Sequence, residues 1–326
     1  MKIAIDAMGG DYAPQEMVKG AVQAAERDGV EVMLVGRDGA IQEELKKYDV
    51  SSLSIRVVNA SEVIREGESP VAALREKPDA SVLVAMRLVK EGEADAIVSM
   101  GYTGAVVVSA IEILGKLEGV SRPTAGAPLL GLAPSTVLFD LGPNADCRPR
   151  DLMSFAVIGC VVAQKILHIS NPTVALLSNG AEEGKGNLLV KSAYPLFKKS
   201  RLNFIGNIEG NQIPLGKANV IVCDGFTGNI LLKFCEGLGD LIVERLRATL
   251  DRRLPKEDLD AIASDLFALT HIADVLGGGM IYGLNGVVWI GHGRSKAAGI
   301  AESIHQVKLA LETDLLKEIT SELKKL

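Results

Sequence analysis

Aromatic residues account for only 4% of this 326-residue chain, which contains a single tryptophan. Its hydrophobic content of 48% must therefore come mainly from aliphatic side chains, as in a folded globular protein. Cysteine is also scarce: the four cysteines show no Cys-x-x-Cys spacing, which indicates free thiols in a reducing compartment. The four histidines are widely spaced and match no metal-binding motif, so we expect no metal site.

Long apolar runs and an excess of basic residues are missing as well. No run approaches the ~20 apolar residues that span a bilayer, and no secretory leader precedes the first apolar segment, so we expect a cytoplasmic protein. The net charge is −6. Because non-specific nucleic-acid binding depends on clustered Lys and Arg, we expect no nucleic-acid partner.

Glycine, in contrast, is abundant, with 34 residues against 12 prolines. Short β-branched runs alternate with longer segments of helical period, which predicts βαβ units and a mostly parallel sheet in one α/β domain over residues 1–326. The predicted strands are Lys2 to Ala7, Val30 to Val35, Ala96 to Ser99, Thr136 to Leu141, Thr173 to Leu177, Val220 to Cys223 and Val287 to Ile290.

Helices are expected between these strands. Asp11 is a candidate cap for a first helix over Pro14 to Asp28, and Asp79 for another that runs to Glu91. The segment from Lys296 to Leu326 predicts one or two amphipathic helices.

Residues 238–276 depart from the alternation, because two helical patterns meet at Leu254-Pro255 without any strand pattern. We predict a helical hairpin. Its apolar stripes would pack on each other or on a second copy of the chain, or the hairpin would contact an anionic membrane or an acidic partner. The basic residues that favour the latter interpretation are Arg245, Arg247, Arg252 and Arg253.

Four glycine-rich turns follow predicted strands, and such turns meet at the carboxyl edge of a parallel sheet. Helix N-termini there offer unpaired amides to an anion, so a shared phosphate site is predicted. The candidate binding residues are Asp6, Gly9, Gly10, Gly101, Thr103, Gly104, Asn187, Asp224, Gly225, Thr227 and Gly228.

Several cofactor motifs are absent. The stretch from Gly180 to Gly186 resembles a P-loop but is one residue short and lacks Ser or Thr after Lys185, so ATP is not expected. No Gly-x-Gly-x-x-Gly follows the first strand and no Gly-x-Ser-x-Gly occurs. We therefore predict no organic cofactor and no covalent serine chemistry.

A few single residues have two interpretations. Lys185 lies between glycines and is a solvated lysine or an anion contact, whereas His292 is a functional donor or a helix cap. Cys223, at the end of a predicted strand, is more consistent with the core. His168, His271 and His305 are interpreted as surface residues.

Seven motifs in order along the chain resemble the PlsX-type phosphate acyltransferases, and two of them are specific. These two are the opening Asp-Ala-Met-Gly-Gly-Asp at residues 6–11 and Cys-Asp-Gly-Phe-Thr-Gly-Asn at 223–229. The others are Thr103-Gly104-Ala105, Asp146-Cys147-Arg148-Pro149, Glu182 to Asn187, Gly206 to Gly210, and Asn285-Gly286 before His292-Gly293.

The resemblance implies transfer of a fatty acyl group from acyl carrier protein to inorganic phosphate at the start of phospholipid synthesis. It also implies a three-layer α/β/α fold akin to isocitrate and isopropylmalate dehydrogenases, a homodimer with a protruding hairpin, and peripheral membrane association at the inner leaflet. On this basis the catalytic candidates are Lys185 for charge neutralisation, Asn229 for hydrogen bonding, and His292 for the oxyanion or departing sulfur. The arginines of the hairpin would dock the acidic carrier protein.

The chain departs from the family pattern at Tyr102, Pro143, Gly180-Ala181, Arg294 and Gly279 to Leu284. Several of these changes lie in candidate ligand loops. Two alternatives therefore stay open: a phosphotransacetylase-like enzyme that uses acyl-coenzyme A, and a non-catalytic regulator that binds the carrier or lipid.

Overall fold

The computed structural model describes residues 1–129, 131–251 and 253–326. Its strands are β1 Lys2–Asp6, β2 Glu31–Gly36, β3 Ile55–Asn59, β4 Ala96–Ser99, β5 Thr124–Pro128, β6 Val137–Phe139, β7 Thr173–Leu177, β8 Asn203–Ile208, β9 Val220–Val222, β10 Gly279–Tyr282 and β11 Val287–Ile290. Its helices are α1 Gln15–Asp28, α2 Asp38–Leu45, α3 Pro70–Glu76, α4 Ser81–Lys90, α5 Thr103–Ile113, α6 Pro149–Lys165, α7 Leu188–Lys199, α8 Gly225–Leu250, α9 Lys256–Thr270, α10 Ile272–Val275, α11 Ala297–Glu312 and α12 Leu315–Leu323.

The chain divides into two compact units, and each has its own part of the strand set. Unit 1 comprises residues 1–123 and 276–324, and unit 2 comprises residues 124–275 with the last two residues. Helices lie on both sides of a mostly parallel sheet, so the predicted α/β class is confirmed. That residues 1–326 act as one domain stays a prediction.

In unit 1 the strand order is β3-β2-β1-β4-β11-β10. The first five strands are parallel, and β10 runs antiparallel to β11. Aliphatic side chains of β1, such as Ile3 and Ile5, are fully buried. The turns after β2, β1, β4 and β11 therefore come out in a row at one carboxyl edge.

In unit 2 the order is β5-β6-β9-β7-β8, and only β5 is antiparallel to its neighbour. Helix α6 is buried along the whole stretch from Asp151 to Ala163 and packs on β6 and β9. The turns after β7 and β9 lie at the carboxyl edge of adjacent strands, since these two strands are paired in parallel.

All seven predicted strands are confirmed, three with the predicted ends and four with ends shifted by one or two residues. Strands β3, β5, β8 and β10 were not predicted. Segment β5 contains glycine and proline, and β8 contains Gly206 at φ +100°, so neither has the alternation typical of a strand.

The two aspartate caps were predicted wrongly. The N-cap of α1 is Pro14, and Asp79 instead accepts hydrogen bonds from the amide and hydroxyl of Ser61, at 2.7 and 2.6 Å. Helices α11 and α12 confirm the predicted C-terminal pair.

The predicted hairpin is confirmed as α8 packed on α9, and α8 begins earlier than predicted, at Gly225. The surface interpretation of His271 was wrong. Its ring is 2% exposed, stacks on Phe267 with centroids 4.0 Å apart, and lies 3.4 Å from the carboxylate of Asp240. No helix in the described ranges is both long and apolar enough to cross a membrane.

Candidate active site

A cleft of about 530 Å³ opens at the carboxyl edge of the unit 1 sheet. It is lined by the turns after four adjacent parallel strands, in the order β2, β1, β4 and β11. These turns contribute, in the same order, Arg37, Gly9 with Gly10, Gly101 to Thr103, and His292. The structure thus brings together five of the predicted site residues, Gly9, Gly10, Gly101, Thr103 and His292.

Asp6 lies beneath the cleft and is 3% exposed. Its two carboxylate oxygens accept hydrogen bonds from the hydroxyls of Ser81 at 2.6 Å and Ser99 at 2.7 Å. Burial raises the pKa of this carboxyl, and the two hydroxyls partly oppose the rise. Asp6 therefore supports the turns from below, and each of its carboxylate oxygens accepts a hydrogen bond from a serine.

Gly9 is required by this arrangement. A Cβ at position 9 would lie 2.6 Å from a carboxylate oxygen of Asp6 and 2.8 Å from the amide nitrogen of Gly101. The turns after β1 and β4 can approach this closely only because no side chain stands between them.

The N-terminus of α5 offers amides to the cleft. In the part of the chain that the structure describes, the amides of Thr103 and Gly104 have no hydrogen-bond partner, and Thr103 lines the cleft. The ring of Tyr102 packs over Gly104. Unpaired amides at a helix N-terminus favour an anion, so this turn has the electrostatics that the sequence predicted.

His292 is held on a loop that three contacts tie to the segment after β1. The amide of Asp11 donates to the carbonyl of Gly293 at 2.8 Å, and the Lys296 ammonium lies 3.3 Å from the Tyr12 ring centroid. Glu16 accepts a hydrogen bond at 2.7 Å from the first amide of α11, that of Ala297. These contacts hold the loop that carries His292 against the segment after β1.

The second glycine-rich turn, Asp224 to Asn229, lies in unit 2 at the start of α8. The Asp224 carboxylate accepts from the amide and hydroxyl of Thr227, and the carbonyl of Asp224 accepts from the amide of Gly228. The amide of Gly225 donates to the carbonyl of Asn144 at 2.7 Å. Three of the first four amides of α8 are therefore committed within the protein, and an anion here would rely on side chains such as Asn229.

Asp140 organises that turn from below and was missed by the sequence analysis. Its carboxylate accepts from the amides of Ala125 and Gly142, and from both the amide and the side chain of Asn144. Burial raises the pKa of Asp140 to about 6, although these donors oppose the rise. A Cβ at Gly228 would overlap the carbonyl oxygen of Asp140, so α8 lies directly against this residue.

Lys185 and Asn187 lie in the turn after β7, the neighbour of β9. Lys185 is exposed, and the side chain of Asn187 caps α7 by accepting from the amide of Val190 at 2.9 Å. That one anion contacts both these residues and the α5 turn stays a prediction.

Cys223 is buried as predicted. Burial raises the pKa of its thiol, and it raises the pKa of Cys147 to about 12. Neither thiol is therefore an activated nucleophile at neutral pH.

Of the hairpin arginines, Arg245, Arg247 and Arg253 are exposed, and Arg247 is ion-paired with Asp260. Arg252 lies outside the described residues. The pairing of Arg247 removes part of the basic surface that the sequence predicted.

The sequence analysis also missed Arg37 and Arg65, which line the cleft. Arg37 directly follows Gly36 at the end of β2, and the rule that turns follow strands would have found it. Arg65 could not be placed, because β3 was not predicted.

Comparison with known proteins identifies related chains along the full length. The family model described as "Fatty acid synthesis protein" matches residues 1–318. A phosphate acyltransferase of Desulfitobacterium hafniense is 43% identical over 99% of this chain and 98% of its own, and one of Gloeobacter violaceus is 43% identical over 99% and 97%.

Solved structures share the fold at low identity. A phosphotransacetylase of Streptococcus pyogenes aligns with a TM-score of 0.63 at 19% identity, covering 97% of this chain and 94% of that one. A 4-hydroxythreonine-4-phosphate dehydrogenase of Klebsiella pneumoniae gives 0.51 at 14% identity, covering 94% and 96%.

Proposed function

Because the chain belongs to the family of fatty acid synthesis proteins that includes the phosphate acyltransferases, we propose that it transfers a fatty acyl group from acyl carrier protein to inorganic phosphate. The product is an acyl-phosphate, which would supply phospholipid synthesis.

The observation that carries the proposal is the composition of the unit 1 cleft. Of the described residues that line it, none is a serine or cysteine, and the turns leave open amides at the start of α5. A site without a serine or cysteine nucleophile but with an anion-binding helix end suits a reaction in which the anion is the nucleophile.

The proposed reaction depends more on the positioning of phosphate and thioester than on a strong general acid or base. A phosphate oxygen forms a bond to the thioester carbonyl carbon, the carbon–sulfur bond breaks, and the electron pair leaves with a thiolate. The conjugate thiol has a pKa of about 8.5, so a strong general acid is not essential. Holding the two reactants in line can contribute roughly 7–11 kcal/mol.

Each part of the site has a distinct task in this scheme. The Thr103 and Gly104 amides would hold phosphate, and the imidazole of His292 would donate a hydrogen bond to the oxyanion or the departing sulfur. Lys185, Asn187 and Asn229 are proposed as further phosphate contacts from unit 2.

The decisive experiment mixes the protein with palmitoyl-acyl carrier protein, with and without phosphate, and follows free thiol with a chromogenic disulfide reagent. Phosphate-dependent thiol release is expected. Release from palmitoyl-coenzyme A but not from the carrier would favour the phosphotransacetylase-like alternative. Carrier binding without release from either donor would contradict catalysis and favour the regulator.

We further propose a homodimer, because α8 exposes an apolar row in the single chain. Phe226, Ile230 and Phe234 are spaced four residues apart and are 63%, 52% and 64% exposed. Phe234→Glu should convert the dimer to a monomer in light scattering, whereas Leu215→Glu, at a 68% exposed loop position, should leave it dimeric.

Membrane association is proposed on the resemblance alone, and vesicle co-sedimentation tests it.

A further inference from the structure

Arg37 and Arg65 form a cationic mouth to the unit 1 cleft that the acyl-transfer scheme does not use. Both also line an adjoining cleft of about 280 Å³, so they stand where the two clefts meet. Carboxylates nearby are largely committed: Glu68 is paired with Lys77 at 2.6 Å, and Glu62 accepts from the amide of Asp79 at 3.0 Å.

The two arginines are available to a ligand. Among the described residues, the Arg37 side chain makes one hydrogen bond, from its Nε to the carbonyl of Ser61 at 3.4 Å. The Arg65 guanidinium forms no salt bridge among the described residues, although its charge interacts with the Glu68 carboxylate, and Glu66 and Asp11 also line the cleft. Two guanidinium groups at one mouth favour a phosphate or phosphodiester, which they can bind bidentately.

The strand order gives the approximate distance between Arg37 at this mouth and His292 at the other end of the cleft. Arg37 follows β2 and His292 follows β11, with β1 and β4 between them. Three strand spacings of about 4.8 Å amount to roughly 14 Å. The floor along this path is Gly9 and Gly10, which present backbone without side chains.

We propose that Arg37 and Arg65 bind the phosphate of the 4′-phosphopantetheine arm of the acyl donor. This subsite rests on the proposed acyl transfer. About thirteen bonds separate the phosphorus of that arm from its sulfur, and an extended chain of that length spans about 15 Å, as peptide backbone does at three bonds per residue. With its phosphate at the mouth, the arm would lie over the glycine turn and place its thioester beside His292.

This phosphate group is shared by carrier protein and coenzyme A, so the test starts from the arm itself. Binding of 4′-phosphopantetheine and of pantetheine, which lacks the phosphate, is measured by calorimetry on the wild type and on Arg37→Ala/Arg65→Ala. We expect the wild type to prefer the phosphorylated arm at least tenfold and the double variant to lose that preference. A matched control, Lys46→Ala/Arg75→Ala, removes two exposed charges of the same unit that line neither cleft.

Kinetics separate the two phosphate groups of the reaction. The double variant should raise KM for palmitoyl-acyl carrier protein and for palmitoyl-coenzyme A by about tenfold or more, with KM for inorganic phosphate unchanged. With a palmitoyl-N-acetylcysteamine thioester, which has no phosphate, its rate should equal that of the wild type. Glu66→Gln should tighten binding of 4′-phosphopantetheine, because it removes a competing carboxylate.

Three results would overturn the subsite. They are a wild type that binds both arms equally, a double variant that keeps the preference, and a rise in KM confined to inorganic phosphate. If the wild type released no thiol from any donor, the proposed acyl transfer would be contradicted. The calorimetry would still show whether Arg37 and Arg65 bind the phosphate of the arm.

Discussion

The hydroxyl of Ser99 donates a hydrogen bond to the buried carboxylate of Asp6 at 2.7 Å and accepts one from the amide of Gly101 at 3.1 Å. One serine thus joins the end of β1, beneath the cleft, to the turn after β4, which lines it. The position of the α5 N-terminus depends on this link.

Ser99→Ala should lower the free energy of unfolding by about 1–3 kcal/mol, because it removes a donor from a buried carboxylate. It should also raise KM for phosphate, since the α5 turn loses its anchor. Urea unfolding and thiol-release kinetics measure the two effects. Ser109→Ala, which removes a buried hydroxyl bonded to the carbonyl of Ala105 within α5, is the control for stability loss without a kinetic change.

His292→Ala should reduce kcat by about 10²–10³, the usual cost of removing one oxyanion donor. His292→Gln keeps a side-chain donor and should recover part of the rate. Substituting the exposed His168 by Gln should have no effect on kcat. Equal kcat for wild type and His292→Ala would show that the imidazole does not act in the transition state.

Lys185→Ala should raise KM for phosphate about two- to five-fold, a small effect because the lysine is exposed and its charge is screened. The rise should shrink as ionic strength increases. Lys191→Ala removes another exposed lysine from α7 and serves as the control. An unchanged KM for phosphate would remove Lys185 from the site.

Asp140 should make stability depend on pH. Because burial raises its pKa from 3.8 to about 6, the folded state binds the proton more tightly than the unfolded state. This contribution is fully present below pH about 3.8 and is lost as pH rises through about 6, a change of up to about 3 kcal/mol.

The measurement is urea unfolding of the wild type and Asp140→Asn from pH 4 to 8. The amide variant does not titrate, and it should be less stable throughout because its NH₂ group faces backbone amides. Its deficit relative to the wild type should narrow as pH rises. A constant deficit would mean that Asp140 has an ordinary pKa.

Arg245→Glu/Arg253→Glu should raise KM for acyl carrier protein roughly tenfold at low salt, with KM for phosphate unchanged. Lys90→Glu/Lys317→Glu makes the same change in net charge at exposed positions of unit 1 and should have little effect. If both pairs act alike, the carrier responds to total charge and docks away from the hairpin.

The sequence by itself determined the elements whose signals are local. Seven strands, the α8–α9 hairpin and the glycine turns all follow from periodicity and from residues that favour tight turns, which need no knowledge of distant contacts. Strands β5 and β8 were not predicted, because their glycines and proline weaken the alternation of apolar and polar residues. These segments form strands because pairing with neighbouring strands overrides local propensity.

Only the tertiary structure decided which turns share a cleft and which amides stay open. Strand β11 lies next to β4 although nearly two hundred residues separate them in the chain, and this pairing places His292 beside the α5 turn. The turns at Gly101 and Gly225 are equally rich in glycine, yet Asp224 and Asn144 accept from three of the first four amides of α8, whereas the amides of Thr103 and Gly104 are left for a ligand. The difference depends on which polar groups the fold brings next to each helix end, and such long-range contacts leave no pattern in the local sequence.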